Sequence, residues 1–202
     1  MLPNGKQYQF AYEPVYGLLK QITYPTGATI KYTWQFNAQS QGGDFQVENA
    51  YPTDHWDTCG ARYGMPALQS RVVSFDGVTP ALEQDFTYST SWPTGSEFWS
   101  SKHTTIITHD LLRNTTSQVQ YDYVPQWAGG GQVQVPVEQR VQYQDGSGST
   151  LRTVTKDWYN PDALKSEQVA LDNGQTSKTS YTYLNQIGVL PTEIDEYDSA
   201  QV

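Results

Sequence analysis

The stretch LPNGKQYQFAY, residues 2–12, is followed 22 residues later by YPTGATIKYTW, residues 24–34. Pro3 falls on Pro25, Gly5 on Gly27, Tyr8 on Ile30, Phe10 on Tyr32 and Tyr12 on Trp34. A turn followed by large residues at every second position is thus used twice at a fixed interval. A unit of that length is one hairpin, and a hairpin alone is marginal in water. The chain must therefore stack such units against one another.

The unit returns near the far end. Tyr181 follows Gly174 by the same seven residues that separate Tyr12 from Gly5 and Trp34 from Gly27. Ala11-Tyr12-Glu13 leads to Gly17-Leu18-Leu19, and Thr182-Tyr183-Leu184 leads to Gly188-Val189-Leu190. A looser copy runs from Trp158-Tyr159-Asn160 to Ala163-Leu164-Lys165. The repeating unit reads as a turn, a strand with alternating aromatics, a Gly-Leu loop and a return strand.

Period-two alternation supports strands throughout. It is plainest at Val133, Val135, Val137, Val141 and Tyr143, with Gln134, Glu138, Arg140 and Gln142 between them. Val119, Tyr121 and Tyr123 alternate in the same way, and Leu18, Ile22 and Tyr24 suggest a return strand. Asp76-Gly77, Asp145-Gly146 and Asp172-Asn173-Gly174 punctuate these runs as hairpin turns. The expected fold is all-β: antiparallel hairpin repeats in a curved, elongated or spiralling sheet. Clear repeats cover 2–34 and 150–198, with divergent strands over 61–149. Residues 35–60 read as a polar insertion loop, and 125–131 as a shorter loop or hairpin tip.

Composition narrows the functions. Tyr (15), Trp (6) and Phe (6) are abundant although the mean hydropathy is −0.64, a balance that suits half-buried strands. Twelve basic residues among 21 acidic ones leave a net charge of −9, which argues against a nucleic-acid partner. Cys59 is the one cysteine, so neither an intrachain disulfide nor a multi-cysteine zinc site can form. No apolar run reaches the ~20 residues of a membrane span, and the start MLPNGKQY does not read as a signal peptide. Both ends read as cut from a longer protein.

The motifs resemble those of the RHS-repeat, or YD-repeat, family. Its pattern of an aromatic, any residue, Tyr-Asp, a gap, Gly-Arg-Leu and a Pro-x-Gly turn corresponds here to Phe10-Ala11-Tyr12-Glu13, Gly17-Leu18-Leu19 and Pro25-Thr26-Gly27. Tyr-Asp itself stands at Tyr121-Asp122 and Tyr197-Asp198, while the Arg is missing from the Gly-Arg-Leu copies. The resemblance implies a structural segment of a hairpin-repeat shell in a larger secreted or surface-exposed bacterial protein. Such a shell would enclose or present a C-terminal effector, as in polymorphic toxins, and its partners would be neighbouring repeats of the same parent chain or an enclosed toxin domain. The alternative is an adhesion module that binds carbohydrate or cell-surface glycans. The family's Asp-Pro self-cleavage motif has no counterpart here, so no enzymatic role and no cofactor are expected.

Several residues invite chemistry, each with a plainer reading beside it. Trp127, next to Gly129-Gly130-Gly131, and Trp92 are the candidates for stacking a sugar, although strand aromatics usually pack across strands. Asp54-His55-Trp56-Asp57-Thr58-Cys59 is the densest polar cluster and is read as loop. His103 and His109 share a strand face at a spacing of six, half of a metal site at most, with Asp110 on the other face. Glu83 and Asp85 pair by parity, as acid–base carboxylates do, but solvated acids are commoner on a strand face; Asp195, Glu196 and Asp198 read as solvated too. No catalytic or metal site is assigned.

Overall fold

Three turns share one backbone pattern and set the hairpins. Tyr24 N–H donates to the Ala28 carbonyl while Gly27 N–H donates back to the Tyr24 carbonyl; Asp145 with Ser149 and Gly148, and Leu171 with Gln175 and Gly174, repeat both bonds. Each loop needs one left-handed residue, and Gly27, Gly148 and Gly174 supply it at φ 95°, 87° and 84°. In the second turn the glycine expected to turn the chain, Gly146, is not the one at positive φ.

The computed structural model describes residues 6–36, 44–48, 56–60, 66–94, 98–128, 133–184 and 190–198; for residues 44–48, 56–60, 128 and 133 only the backbone is described. Twelve strands follow one another in a single antiparallel sheet: β1 (Gln9–Tyr12), β2 (Leu19–Thr23), β3 (Thr29–Phe36), β6 (Pro66–Ser74), β7 (Leu82–Ser91), β8 (Ser101–Asp110), β9 (Thr115–Ala128), β10 (Val133–Asp145), β11 (Thr150–Asn160), β12 (Ala163–Leu171), β13 (Thr176–Thr182) and β14 (Glu193–Tyr197). β4 (Asp44–Glu48) and β5 (Trp56–Gly60) form a side hairpin that joins β10 through Val133 and Phe45. Part of the segment expected to be loop is therefore strand. Pro125, Gln126 and Trp127 likewise continue β9 instead of leaving it. Neighbours in sequence are neighbours in the sheet except where the side hairpin intervenes, the all-β hairpin array expected. Among the described residues there is no helix, and so none long and apolar enough to cross a membrane.

Cross-strand register sorts the side chains onto two faces. Phe10 lies opposite Ile22, Ile22 opposite Ile30, and Ile30 opposite Val73. The face that these residues occupy continues through Leu82, Tyr88, Ile106, Val119, Tyr121, Tyr123, Val141 and Val154. The Tyr121 and Tyr123 rings stack 6.4 Å apart, and Arg152 lies 5.4 Å from the Tyr143 ring. The opposite face carries Glu83, Asp85, His103, His109, Gln118, Gln120 and Asp122.

A second regularity is absent from the turns. Six residues are skipped in the pairing: Leu151 and Tyr159 in β11, and four that share one device, Lys20 in β2, Gln69 in β6, Gln139 in β10 and Lys165 in β12. Such a bulge interrupts the ladder and leaves backbone groups in need of partners. In these four cases the carbonyl just before the skipped residue accepts a bond from an aromatic tip of the following strand or its end. Trp34 Nε1 donates to Leu19 (2.8 Å), the Tyr88 hydroxyl to Leu68 (2.8 Å), Trp158 Nε1 to Glu138 (2.7 Å) and the Tyr183 hydroxyl to Leu164 (3.0 Å). Trp34 and Tyr183 are repeat aromatics, and Leu19 and Leu164 belong to the Gly-Leu elements of Gly17-Leu18-Leu19 and Ala163-Leu164-Lys165.

The residue after the repeat tyrosine also has a local task. Glu13 accepts from Val15, Tyr16 and Leu18 N–H, closing the β1–β2 loop in which Gly17 takes φ 70°. Asn160 accepts from Asp162 N–H in the β11–β12 turn. Gly5 and Gly188 lie outside the described residues.

The Gln139 bulge overturns one expectation. Val133, Val135, Val137, Val141 and Tyr143 read as one face, yet the register moves from Glu138 opposite Tyr123 to Arg140 opposite Asp122. Val137 therefore sits on the face of Asp122, while Val141 sits with Tyr121. Both are buried, at 6% and 4% exposure, on opposite sides of the sheet.

Replacing Trp158 by Phe keeps the ring but removes the donor, leaving the Glu138 carbonyl without its aromatic partner. We expect a loss of about 1–3 kcal/mol in urea unfolding, and a similar loss for Trp34→Phe. Acid should act through the turns. Asp76 accepts from Val78 and Thr79 N–H and from the Ser74 hydroxyl, and these bonds hold its carboxyl far below the usual carboxylate range. The Ser147 hydroxyl, with turn N–H groups, also holds Asp145 low. A carboxyl depressed by folding stabilises above its unfolded pKa and loses that effect as pH falls through its folded one. The thermal midpoint should hold from pH 7 to 5 and fall below about pH 4. Asp76→Asn should lower the neutral-pH midpoint and blunt the fall.

Candidate functional site

A cluster of three ionisable groups in contact crosses β8, β9 and β10. His103 lies directly opposite Asp122, and Asp122 lies opposite Arg140. His103 Nδ1 is 2.6 Å from Asp122 Oδ1, and Arg140 Nε donates to Asp122 Oδ2. A carboxylate only accepts, so Nδ1 carries the ring proton and Nε2 is the atom left over. Asp122 is largely covered, at 15% side-chain exposure, whereas His103 and Arg140 are each 46% exposed. Both oxygens of the acid are engaged, and the outer atoms of its two partners face solvent.

The bulge builds this cluster. Were the β10 register continuous through Gln139, alternation would leave Arg140 on the tyrosine-rich face with Glu138. The extra residue turns Arg140 to the face of Asp122 and His103, and Glu138 stays behind to bond Lys156 Nζ at 2.6 Å. The Trp158 indole holds the bulge through the Glu138 carbonyl. Ser101, His103, Asp122, Gln139, Arg140 and Thr155 line an open pocket of about 320 Å³ here.

The other candidates separate. His103 and His109 do share a face, but each takes its own acid: His109 Nε2 is 3.5 Å from Asp85 Oδ2 and its Nδ1 is 3.3 Å from the Thr116 hydroxyl. Asp85 and Glu83 are on the same face too, with Asp85 given to His109. Asp110 caps the β8–β9 turn, accepting from Leu112 and Arg113 N–H and pairing with the Arg113 side chain. Among the described residues no group of three His, Cys, Asp or Glu side chains could hold a metal ion. Asp54 and His55 lie outside the described residues, and Cys59 falls on strand β5 rather than a loop.

Trp127 is 44% exposed and meets Phe98 edge-on, with ring centroids 4.9 Å apart. Trp99 is the most buried large side chain among the described residues, at 2%; Gln134 Nε2 donates to its carbonyl and Lys102 Nζ sits 5.1 Å from its ring. Desolvation there pushes the Lys102 pKa down. Trp92 is half-buried, and no ring contact joins it to Trp127 among the described residues. Among the described residues the structure thus offers one exposed tryptophan with an aromatic neighbour, not a platform of several.

Sequence reasoning reached His103 but not its partners. Asp122 was read as half of a Tyr-Asp repeat motif, and Arg140 as one polar residue in an alternating run. A bulge has no marker in residues 137–141, so nothing there announced that Arg140 changes face. No family model matches the chain, and no similar curated protein is found.

Asp122→Asn should release the His103 tautomer. In ring ¹⁵N spectra the wild type should show protonated Nδ1 at neutral pH, and the variant a shift toward protonated Nε2, with His109 unchanged.

Proposed function

We propose that this chain is a structural segment of a hairpin-repeat wall of the RHS or YD type, part of a larger secreted or surface-exposed protein whose wall encloses or presents another domain. The supporting observation is the gradient of burial along the sheet. In the middle, Val137, Val141 and Val154 are at 6% exposure or less. Toward β1, Tyr8, Phe10, Tyr12 and Phe36 are 49–62% exposed; beside β14, Leu190 and Ile194 are 80% and 55% exposed. Large apolar side chains at both ends of one open sheet are what further rungs would cover. Among the described residues β1 and β14 each pair on one side only. The repeated bulge contacts add to this reading, because each ties one strand to the next and none requires a second layer.

Uncovered edges should join. In sedimentation velocity the isolated chain should associate with rising concentration, and the double variant Phe10→Lys with Ile194→Lys should move it toward monomer. A wild-type chain that stays monomeric at high concentration would count against the wall.

Glycan adhesion is the second reading, favoured by the exposure of Trp127 against Phe98. It requires saturable binding on a glycan array that Trp127→Ala abolishes; binding that survives the substitution would remove Trp127 from it.

A further inference from the structure

The His103–Asp122–Arg140 cluster is not needed by a wall. Arg140 could satisfy its charge in water, and a repeat strand needs no bulge merely to present a polar residue. The bulge nevertheless brings Arg140 across to an acid already bonded to a histidine. The atoms left over are specific. Arg140 uses Nε on Asp122, which leaves its two terminal nitrogens; His103 uses Nδ1, which leaves Nε2. Neither remaining set has a protein partner among the described residues. Among the described residues the only acid lining the pocket is Asp122, whose two oxygens are both taken.

We propose that this pocket binds a small oxyanion, a carboxylate or phosphate group carried on a polyhydroxy molecule of about monosaccharide size. The paired terminal nitrogens of a guanidinium match two oxygens of such a group, and His103 Nε2 adds a third contact once it carries a proton or accepts one from a protonated oxyanion. The Ser101 and Thr155 hydroxyls and the Gln139 amide, on the same pocket lining, suit the hydroxyls of the remainder. The volume of about 320 Å³ lies at the small end of ligand sites, which sets the size class. Asp122 is a positioning residue: it holds the guanidinium and the imidazole without facing the ligand with a free oxygen. Trp158 positions the site from one strand further, through the Glu138 carbonyl beside the bulge. The proposal is independent of whether the sheet is a wall.

The test is a titration of the whole chain followed by ring ¹⁵N–¹H spectra, at constant ionic strength, with sodium glucuronate, inorganic phosphate and glucose in separate arms. The His103 signals should move and saturate with glucuronate, with phosphate or with both, at a dissociation constant on the order of 1 mM for an open site. Which arm saturates more tightly identifies carboxylate or phosphate as the group. Glucose should give no saturation, and His109, exposed on the same face, should stay still. Arg140→Gln should weaken the saturating arm about tenfold with the backbone amide spectrum otherwise kept. Arg140→Lys, which keeps the charge but loses the fork, should also weaken it. The proposal fails if neither anion saturates, if His109 moves in parallel with His103, if glucose binds as well as the anions, or if both Arg140 variants bind like the wild type.

Discussion

A bulged strand has a carbonyl to place, and at four bulges of this sheet an aromatic tip takes it. Indole N–H and phenol O–H groups suit the task because each sits on a large apolar body that remains packed along the sheet while its polar end reaches one strand over. Leu19, Leu68, Glu138 and Leu164 are each answered this way, from Trp34, Tyr88, Trp158 and Tyr183. A hydrogen bond of this kind contributes about 1 kcal/mol, and contributions at separated sites add. Four give roughly 4 kcal/mol, close to the lower end of a small domain's whole stability. For a sheet with few fully buried side chains, that share matters.

The same device sets one contact on the polar face of β8, β9 and β10. A bulge reverses the facing of residues on its two sides, so Val137 and Val141 are both buried but by different layers of side chains. Arg140 arrives beside Asp122 for that reason alone. Specific geometry on this face therefore depends on an indole on the opposite face, with the backbone of Glu138 and Gln139 carrying the connection.

Much of the architecture was legible beforehand. Period-two alternation, the 22-residue recurrence and the glycine turns foretold an open antiparallel array, because each reports a local rule: which side a residue faces, and where a left-handed angle is required. The candidate site was legible only in part. His103 and His109 were placed on one face correctly by parity, yet parity could not say that each would find a different acid. The loop assigned to residues 35–60 failed in part, at 35–36, 44–48 and 56–60, for a related reason. Polar, Gly-punctuated sequence weakens a strand's signature, but it does not prevent pairing when a neighbouring strand such as β10 offers a free end.

The recurrence of Pro-x-Gly and spaced aromatics, as sequence, determined that this chain is a series of hairpins that must lie side by side. Those instructions are local and survive in any context. Register was left to the tertiary structure. Where an extra residue is absorbed depends on what the adjacent strand can offer its carbonyl, and the partner lies 15 to 20 residues away at the four bulges. Tertiary pairing thus decided that Arg140 would meet Asp122 and His103, and so where on this sheet a charge-bearing ligand can sit.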